Sequence, residues 1–297
     1  MNSSTPSRLY GILMAVTGCS CWGFSGIFAK ILFDEKHINA MWLVTVRLIS
    51  AGIILLILSS LDDRTSVMKV WEKKHDAALL LTFALLGMMP SQACFFLAIS
   101  FSNPAVATVL QYISPVLIML VCCIRDRTAP KPVEMIILLM VMTGVFLIST
   151  HGNLHRLSIT PPALFWGLVS AFAVMVYTLL PAKLIKKFGI LPVVGWGMLL
   201  GGIILLPFTR PWKAAGIFDG YTLLMIMLVI IVGTVIAFTG YLQGVKIIGP
   251  VHGSLAAGTE PVVSALFTAL ILHVSFTTAD ITGMVLVVLS VTAISLF

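Results

Sequence analysis

A single carboxylate, Glu260, interrupts an otherwise uncharged stretch of the chain. Residues 249–272 carry no other charge, and Pro261 follows the carboxylate directly in the segment GTEPVVSALF. An ionised carboxylate is costly inside an apolar helix, so it must be protonated, paired or functional. Two hypotheses remain open. Glu260 recognises an ammonium group or exchanges a proton during transport, or it is structural: a neutral acid bonded to carbonyls freed by Pro261, or a permanent partner of Arg47.

Arg47 is the other charge that falls deep inside an apolar stretch. A guanidinium can bind a substrate carboxylate through two parallel hydrogen bonds. It can also tie its helix to neighbouring carbonyls without any substrate, and we favour this structural role. His252 lies near one end of an apolar stretch, where an interfacial position is favoured over a titrating one.

Aromatic and amide side chains recur in corresponding parts of the two halves of the chain. In the middle of a membrane they offer a solute hydrogen bonds and cation–π contacts. The alternative is packing between helices, which we expect for at least half of them. The candidates are Trp22, Gln92, Gln111, Tyr112, Tyr177 and Tyr241. Four prolines, Pro104, Pro115, Pro250 and Pro261, are predicted helix-break positions, either hinges or static kinks.

The elements that must position these residues are membrane-spanning helices. The chain has 297 residues, of which 59% are hydrophobic and 10% charged, with a mean hydropathy of +1.10. This is too apolar for a soluble fold, and apolar stretches of about 18 to 24 residues match a bilayer core. Ten are predicted, with no soluble domain and no cofactor or metal site: 9–30, 39–60, 78–100, 104–124, 133–150, 162–182, 191–209, 221–245, 249–272 and 279–297.

The distribution of positive charge predicts the orientation in the membrane. The net charge of +7 arises from residues at helix ends rather than from one stripe, which favours a lipid bilayer over nucleic acid as the partner. A cytoplasmic N-terminus places twelve cations inside and five outside, so both termini are predicted to be cytoplasmic, in the inner membrane of a prokaryote. At about 1.5 Å per residue, Arg47 lies about 12 Å and Glu260 about 16 Å from the start of its helix, near mid-membrane.

Self-comparison indicates a duplication. A shift of 146 residues superimposes LGMMPSQACFFLAISFSNPAVATVLQYISPV (86–116) on VGTVIAFTGYLQGVKIIGPVHGSLAAGTEPV (232–262) without a gap. In a separate comparison of the first and sixth helices, Trp22 is placed close to Tyr177. Two five-helix repeats, 1–150 and 151–297, are predicted. Because five is odd, the second is inverted, as in many secondary transporters. The alternative is two similar hairpins without a transport role. Under this shift Ser114 occupies the position of Glu260.

Four segments carry a family resemblance: CSCWGFSGIFAK (19–30), VTVRLISAG (44–52), NPAVATVLQYISPVL (103–117) and GPVHGSLAAGTEPVVSALF (249–267). They resemble the EamA family of the drug/metabolite transporter superfamily over nearly the whole chain. The resemblance implies an all-α polytopic membrane protein of ten transmembrane helices, arranged as two inverted five-helix repeats around a central cavity. It also implies carriers of amino acids, related metabolites or organic cations. Similar proteins commonly carry an acid in the turn after the fourth and ninth helices; here IRDRT keeps Asp126, whereas ILHVS has His273 instead.

These patterns favour a secondary transporter of small metabolites, with export of amino-acid-like solutes by alternating access as the first hypothesis. A carrier of choline-like or other quaternary cations is the second. A membrane-embedded enzyme is a distant third, since HExxH, GxSxG and Walker A motifs are absent from the sequence. Gly197 and Gly201 have GxxxG spacing, which predicts close helix packing and leaves a homodimer open.

Overall fold

The computed structural model describes residues 7–62, 66–102, 104–154, 159–213, 216–272 and 275–296. Within these ranges the regular secondary structure is entirely helical. Ten long apolar helices are numbered in chain order: α1 Arg8–Asp34, α2 Ala40–Asp62, α3 Lys74–Ser100, α4 Pro104–Gln111 with Ser114–Asp126, α5 Pro132–Thr150, α6 Pro161–Leu179, α7 Ile190–Thr209, α8 Gly220–Ile248, α9 Pro250–Ala256 with Thr259–Leu272, and α10 Thr278–Leu296.

The helices agree closely with the apolar stretches of the sequence. Each end lies within four residues of its predicted position. Over the described ranges, nine helices are long and apolar enough to cross a membrane. The apolar part of α10, Thr278–Ile294, is shorter than these nine helices. Hydropathy predicts the ends well because a helix must leave the apolar phase where its polar residues begin.

Small residues bring particular helices together. α1 packs against α8 and α9, α3 against α6, α2 against α7, and α5 against α10. A Cβ added to Gly18 would lie 2.5 Å from the backbone oxygen of Ala237, so the backbones of α1 and α8 are in close contact. The GxxxG face of α7 also packs closely, as predicted, because Cβ atoms on Gly197 and Gly201 would meet Phe83 and Met89 of α3. That glycine face is therefore covered within the chain.

Polar contacts distinguish the two ends of the bundle. Arg8 donates a hydrogen bond to the carbonyl oxygen of Ile294 at 2.9 Å, so α1 begins where α10 ends. We call this the terminal end; Lys187, after α6, also binds Asp76 at the start of α3 there. At the opposite end, the Lys36 ammonium lies 2.7 Å from the Asp219 carboxylate. Each end of the bundle is therefore marked by its own polar contacts between helices.

Two helices are interrupted near their middles. α4 breaks at residues 112–113 and α9 at residues 257–258. Pro115 and Pro261 lie in the first turn of the segments that follow, and Pro104 and Pro250 are the first residues of the two helices. Proline is tolerated in a first turn, where its missing N–H has no helical partner. α3 and α8 each contain a π-helical turn, at Phe83–Met88 and Ile231–Ile236.

Asp219 stabilises the opposite end in a pH-dependent manner. Hydrogen bonds from Lys36 and from the Thr222 backbone N–H hold the pKa of its carboxyl well below the usual range. A depressed pKa adds stability above the ordinary value of about 3.9, and that stability is lost as pH falls through the folded-state pKa. We expect the melting temperature of the wild type in detergent to fall on acidification below about pH 4. Asp219→Asn keeps a capping oxygen without the charge, and should show a shallower dependence. Identical pH profiles would contradict this assignment.

Candidate functional site

The broken helices α4 and α9 meet at the centre of the bundle. Tyr112, in the break of α4, donates a hydrogen bond from its hydroxyl to the carbonyl oxygen of Ala257 in the break of α9, at 2.5 Å. A carbonyl released by a helix break needs a donor inside a membrane. Here the other broken helix supplies one donor, and the Glu260 backbone N–H supplies a second at 3.0 Å. Glu260 is the second residue of the α9 segment that begins just beyond this contact.

A central cavity of about 150 Å³ lies beside this junction. Six of the predicted residues line it, and it gathers side chains from helices of both halves. Its lining residues are Trp22, Ser25, Gly26, Ala29, Arg47, Ser91, Gln92, Phe95, Phe96, Gln111, Val174, Tyr177, Val229, Phe238 and Glu260. The two charges that were predicted to lie deep in the apolar core therefore share one cavity.

Arg47 is anchored on one side only. One of its terminal nitrogens, Nη2, donates a hydrogen bond to the side-chain oxygen of Gln92, and its guanidinium carbon lies 6.0 Å from the ring centre of Phe96. Its Nε is buried without a hydrogen-bond partner in the described part of the chain. An unpaired buried donor is costly, so this nitrogen suits an acceptor that arrives with a solute.

The Glu260 carboxyl has no hydrogen-bond partner among the described residues. The salt bridges formed within those ranges include neither Glu260 nor Arg47. The permanent Arg47–Glu260 pair left open by the sequence is thus not formed in this conformation, although both side chains line the same cavity. Nor does the Glu260 carboxyl bond to the carbonyl oxygen of Ala257, which accepts from the Tyr112 hydroxyl and from the Glu260 backbone N–H. The carboxyl is available to the cavity.

A second cavity adjoins the first and reaches toward the opposite end. Its volume is about 280 Å³, and it shares Trp22, Gly26 and Glu260 with the central cavity. Tyr112 and His151 also line it, and His151 directly follows α5. The Nδ1 atom of His151 lies 2.8 Å from a carboxylate oxygen of Asp280. Glu260 therefore borders two cavities, which the sequence did not predict.

An aromatic cluster backs the central cavity on the side of the terminal end. The Trp22 ring centre lies 4.8 Å from that of Phe238 and 5.2 Å from that of Tyr241. Tyr177 contacts both of the same partners, at 5.7 and 6.1 Å. Tyr241 is fully buried and lines neither cavity, and its hydroxyl lies 3.3 Å from that of Thr178. In this structure Tyr241 therefore packs between helices and does not face either cavity.

Gln111 is held by two hydrogen bonds. Its side-chain nitrogen donates to the carbonyl oxygen of Ser91 at 3.1 Å and to the hydroxyl of Ser170 at 2.6 Å. These bonds join α4 to α3 and α6, so Gln111 both lines the cavity and locks three helices. Its amide therefore has a structural role in addition to any role toward a solute.

His252 lies away from both cavities, near the terminal end. Its Nε2 is 3.8 Å from a carboxylate oxygen of Glu134 at the start of α5, and its Nδ1 is 3.1 Å from the carbonyl oxygen of Ile248. His151 and Ser25, in contrast, line cavities but were not predicted as site residues. His151 follows its helix like an ordinary interfacial residue, and serines are too common in membrane helices to signal a site.

The family model of the EamA-like transporter family matches residues 9–150 and 161–296. The chain belongs to the EamA-like transporter family. This confirms the resemblance found in the sequence and makes the protein a membrane transporter. It is similar to the uncharacterized inner membrane transporter YicL of Salmonella typhimurium, with 38% identity over 286 residues that cover 96% of this chain and 95% of the relative. A protein of known crystal structure matches this EamA-like transporter with a TM-score of 0.78 and 18% identity, covering 98% of each chain, which shows a shared fold.

Proposed function

We propose that this EamA-like transporter is a secondary carrier that exports small amino-acid-like solutes by alternating access. The observation that carries the proposal is the Glu260 carboxyl, which borders both cavities without a partner in the described chain and shares the central one with Arg47. A carboxylate and a guanidinium in one small cavity complement the two charges of a zwitterion. The similarity to YicL supports an inner-membrane location.

In this proposal the two charges have distinct roles. Glu260 binds the ammonium group of the solute, or holds a proton when the solute is absent, because burial penalises the charged form of a carboxyl. Arg47 binds the carboxylate through the nitrogens that Gln92 does not occupy. Proton exchange at Glu260 then couples the solute to a proton gradient.

Two inverted five-helix repeats, 1–150 and 151–297, provide the proposed scaffold. The match of the family model in two stretches, 9–150 and 161–296, supports this division. The helix packing supports the division as well. In two five-helix repeats α1 corresponds to α6 and α3 to α8, and α1 packs against α8 as α6 packs against α3. Because α1 and α10 meet at one end through Arg8 and Ile294, the chain crosses the bundle an even number of times, as ten helices require. We place that end in the cytoplasm on the charge distribution.

Glycine contacts refine the correspondence between α1 and α6. Gly87 and Gly233 match under the 146-residue shift, and a Cβ on each would meet Tyr177 and Ser25, respectively. This suggests Ser25, rather than Trp22, as the counterpart of Tyr177, a shift of 152 for these helices. Gly18 and Ser170 follow the same shift. Gly18 packs on the backbone oxygen of Ala237, and the Ser170 hydroxyl donates to the backbone oxygen of Ser91.

A counterflow screen tests the proposed function. Proteoliposomes that contain the purified protein are loaded with unlabelled amino acids, nucleosides or quaternary amines. Uptake of the matching labelled solute is then followed with and without a proton gradient. We expect counterflow of at least one amino acid and its acceleration by the gradient. Chemical conversion of the solute instead of its transfer would favour the enzyme hypothesis.

A carrier of quaternary ammonium compounds is the second candidate function. The aromatic rings of Trp22, Phe96 and Tyr177 line the same cavity as Glu260, and such rings attract ammonium cations. Competition separates the two candidates. If choline-like cations inhibit counterflow and amino acids do not, the carrier of quaternary ammonium compounds would be favoured.

Arg47→Lys tests the proposed carboxylate site. Lysine keeps the charge but loses the planar fork that binds a carboxylate bidentately. Because a hydrogen bond to a charged group contributes about 1.5–3 kcal/mol, we expect KM for an amino acid to rise about tenfold or more. KM for the corresponding amide should change much less, and it serves as the matched control. Equal changes for both solutes would instead support the structural role of Arg47.

A further inference from the structure

A third cavity lies at the terminal end of the bundle, outside the site described above. Its volume is about 440 Å³, and it lies among the ends of α4, α6 and α8, the start of α9 and the short helix Ala182–Phe188. Its deeper wall consists of buried side chains, among them Thr178 and Leu242. We call it the basic cavity because its rim is cationic.

Three cations from different segments form the rim: Arg125, Lys186 and Lys246. Arg125 is bound by Asp126 through two hydrogen bonds, at 2.8 and 3.0 Å, which offset part of its charge. The two lysines form no salt bridge within the described ranges. A concave apolar wall with two free ammonium groups and one partly neutralised guanidinium concentrates anions, since low-dielectric walls focus the field. The volume lies within the range of small-molecule sites.

Adjacent residues of α6 line the basic cavity and the central cavity. Thr178 lines the basic cavity, whereas its neighbour Tyr177 lines the central one. The contact between the Thr178 and Tyr241 hydroxyls, at 3.3 Å, joins α6 to α8. Tyr241 in turn packs against Trp22 of the central cavity. Separation of α6 from α8 at this contact would connect the two cavities.

The proposed repeat gives the basic cavity a counterpart. With the shifts of 152 and 146 residues, Thr178 corresponds to Gly26 and Leu242 to Phe96. Gly26 and Phe96 line the central cavity. In the proposed repeat, residues that line the basic cavity therefore correspond to residues that line the central cavity, and the two cavities lie at equivalent places in the two halves.

We infer that the basic cavity is a second binding site on the transport pathway, which takes the carboxylate or phosphate group of a small organic anion. This inference rests on the proposed function. Lys186 and Lys246 hold the anionic group, the apolar wall contacts the rest of the solute, and opening of the Thr178–Tyr241 contact admits it to the central cavity.

Charged thiol reagents test the local field directly. Ala182 is exposed on the cavity wall, so Ala182→Cys places a thiol there. In nanodiscs of neutral phosphatidylcholine, we expect an anionic methanethiosulfonate to label this thiol about tenfold faster than a cationic one. The wild type gives the background from native cysteines. Lys186→Gln with Lys246→Gln should bring the ratio close to one, whereas Lys30→Gln with Lys213→Gln, at the opposite end, should leave it unchanged.

Protection by solutes tests binding. Benzoate and inorganic phosphate should slow labelling of Ala182→Cys, and neutral benzamide should not. Equal rates for the two reagents, an unchanged ratio in the Lys186/Lys246 variant, or protection by added phosphatidylglycerol alone would overturn the inference, the last because it assigns the cavity to a lipid headgroup.

A transport measurement places the cavity on or off the pathway. Labelling of Ala182→Cys with the anionic reagent should block counterflow of the solute found in the screen. Unimpaired counterflow after complete labelling would remove the cavity from the pathway. If no solute in the screen is transported but benzoate still protects, the proposed function fails while the anion site stands, so the two failures are distinguishable.

Discussion

Glu260→Gln is expected to reduce counterflow of an amino acid about tenfold to a hundredfold at concentrations below KM, and to abolish its acceleration by a proton gradient. The amide keeps the size of the side chain but neither attracts an ammonium group nor exchanges a proton. The loss of a hydrogen bond between charged groups is worth about 1.5–3 kcal/mol, which corresponds to that range of rates. The measurement is the initial rate of counterflow as a function of pH, with and without the gradient.

The control for this variant is Glu134→Gln, the same chemical change at the terminal end. Glu134 lies 3.8 Å from His252 and lines neither the central nor the adjoining cavity. It should keep both the rate and the pH dependence of the wild type. A Glu260→Gln carrier with the native rate and pH profile would eliminate the proton-exchange proposal and leave Glu260 a structural residue.

Gly23→Ala is expected to destabilise the protein and to displace Glu260. A Cβ at this position would overlap the carbonyl oxygen of Glu260 and lie 2.9 Å from the backbone nitrogen of Ser264. Both obstacles are backbone atoms, which cannot rotate away as a flexible side chain can. α1 and α9 must therefore separate, and overpacking of this kind costs about 1–3 kcal/mol. The readouts are the melting temperature in detergent and the rate of counterflow, both of which should fall.

Gly26→Ala is the matched control, since it makes the same change one turn further along α1. A Cβ at Gly26 would meet no atom within 4 Å. Alanine also favours a helix over glycine by about 1 kcal/mol, and this benefit applies equally to both variants. Gly26→Ala should thus be as stable as the wild type or slightly more stable. Equal melting temperatures for the two variants would show that α1 and α9 are not in close contact at Gly23.

Much of the site could be predicted from local patterns. Glu260 and Arg47 stood out because each is a charge in the middle of an apolar stretch, and both line the central cavity. The prolines marked the region of the breaks in α4 and α9. Local patterns could not assign Tyr241, which is an aromatic residue of the expected kind but packs behind the cavity.

Other features depend on which helix faces which. The hydrogen bond from Tyr112 to Ala257 joins residues 145 positions apart, and the pair of His151 and Asp280 joins the ends of two different helices. The absence of a salt bridge between Arg47 and Glu260 in the described chain likewise depends on how two helices far apart in the sequence, α2 and α9, are placed relative to each other. None of these has a signal in the spacing of residues.

The approximate positions and ends of the apolar helices follow from the sequence alone, because transfer into a bilayer depends on the composition of each segment and not on its neighbours. The family follows from it too, through motifs that span both halves. The position of Glu260 between two cavities was decided only by the tertiary structure. Close contacts such as that of Gly23 with the Glu260 backbone set the distance and rotation between helices, and these depend on atoms far apart in the chain.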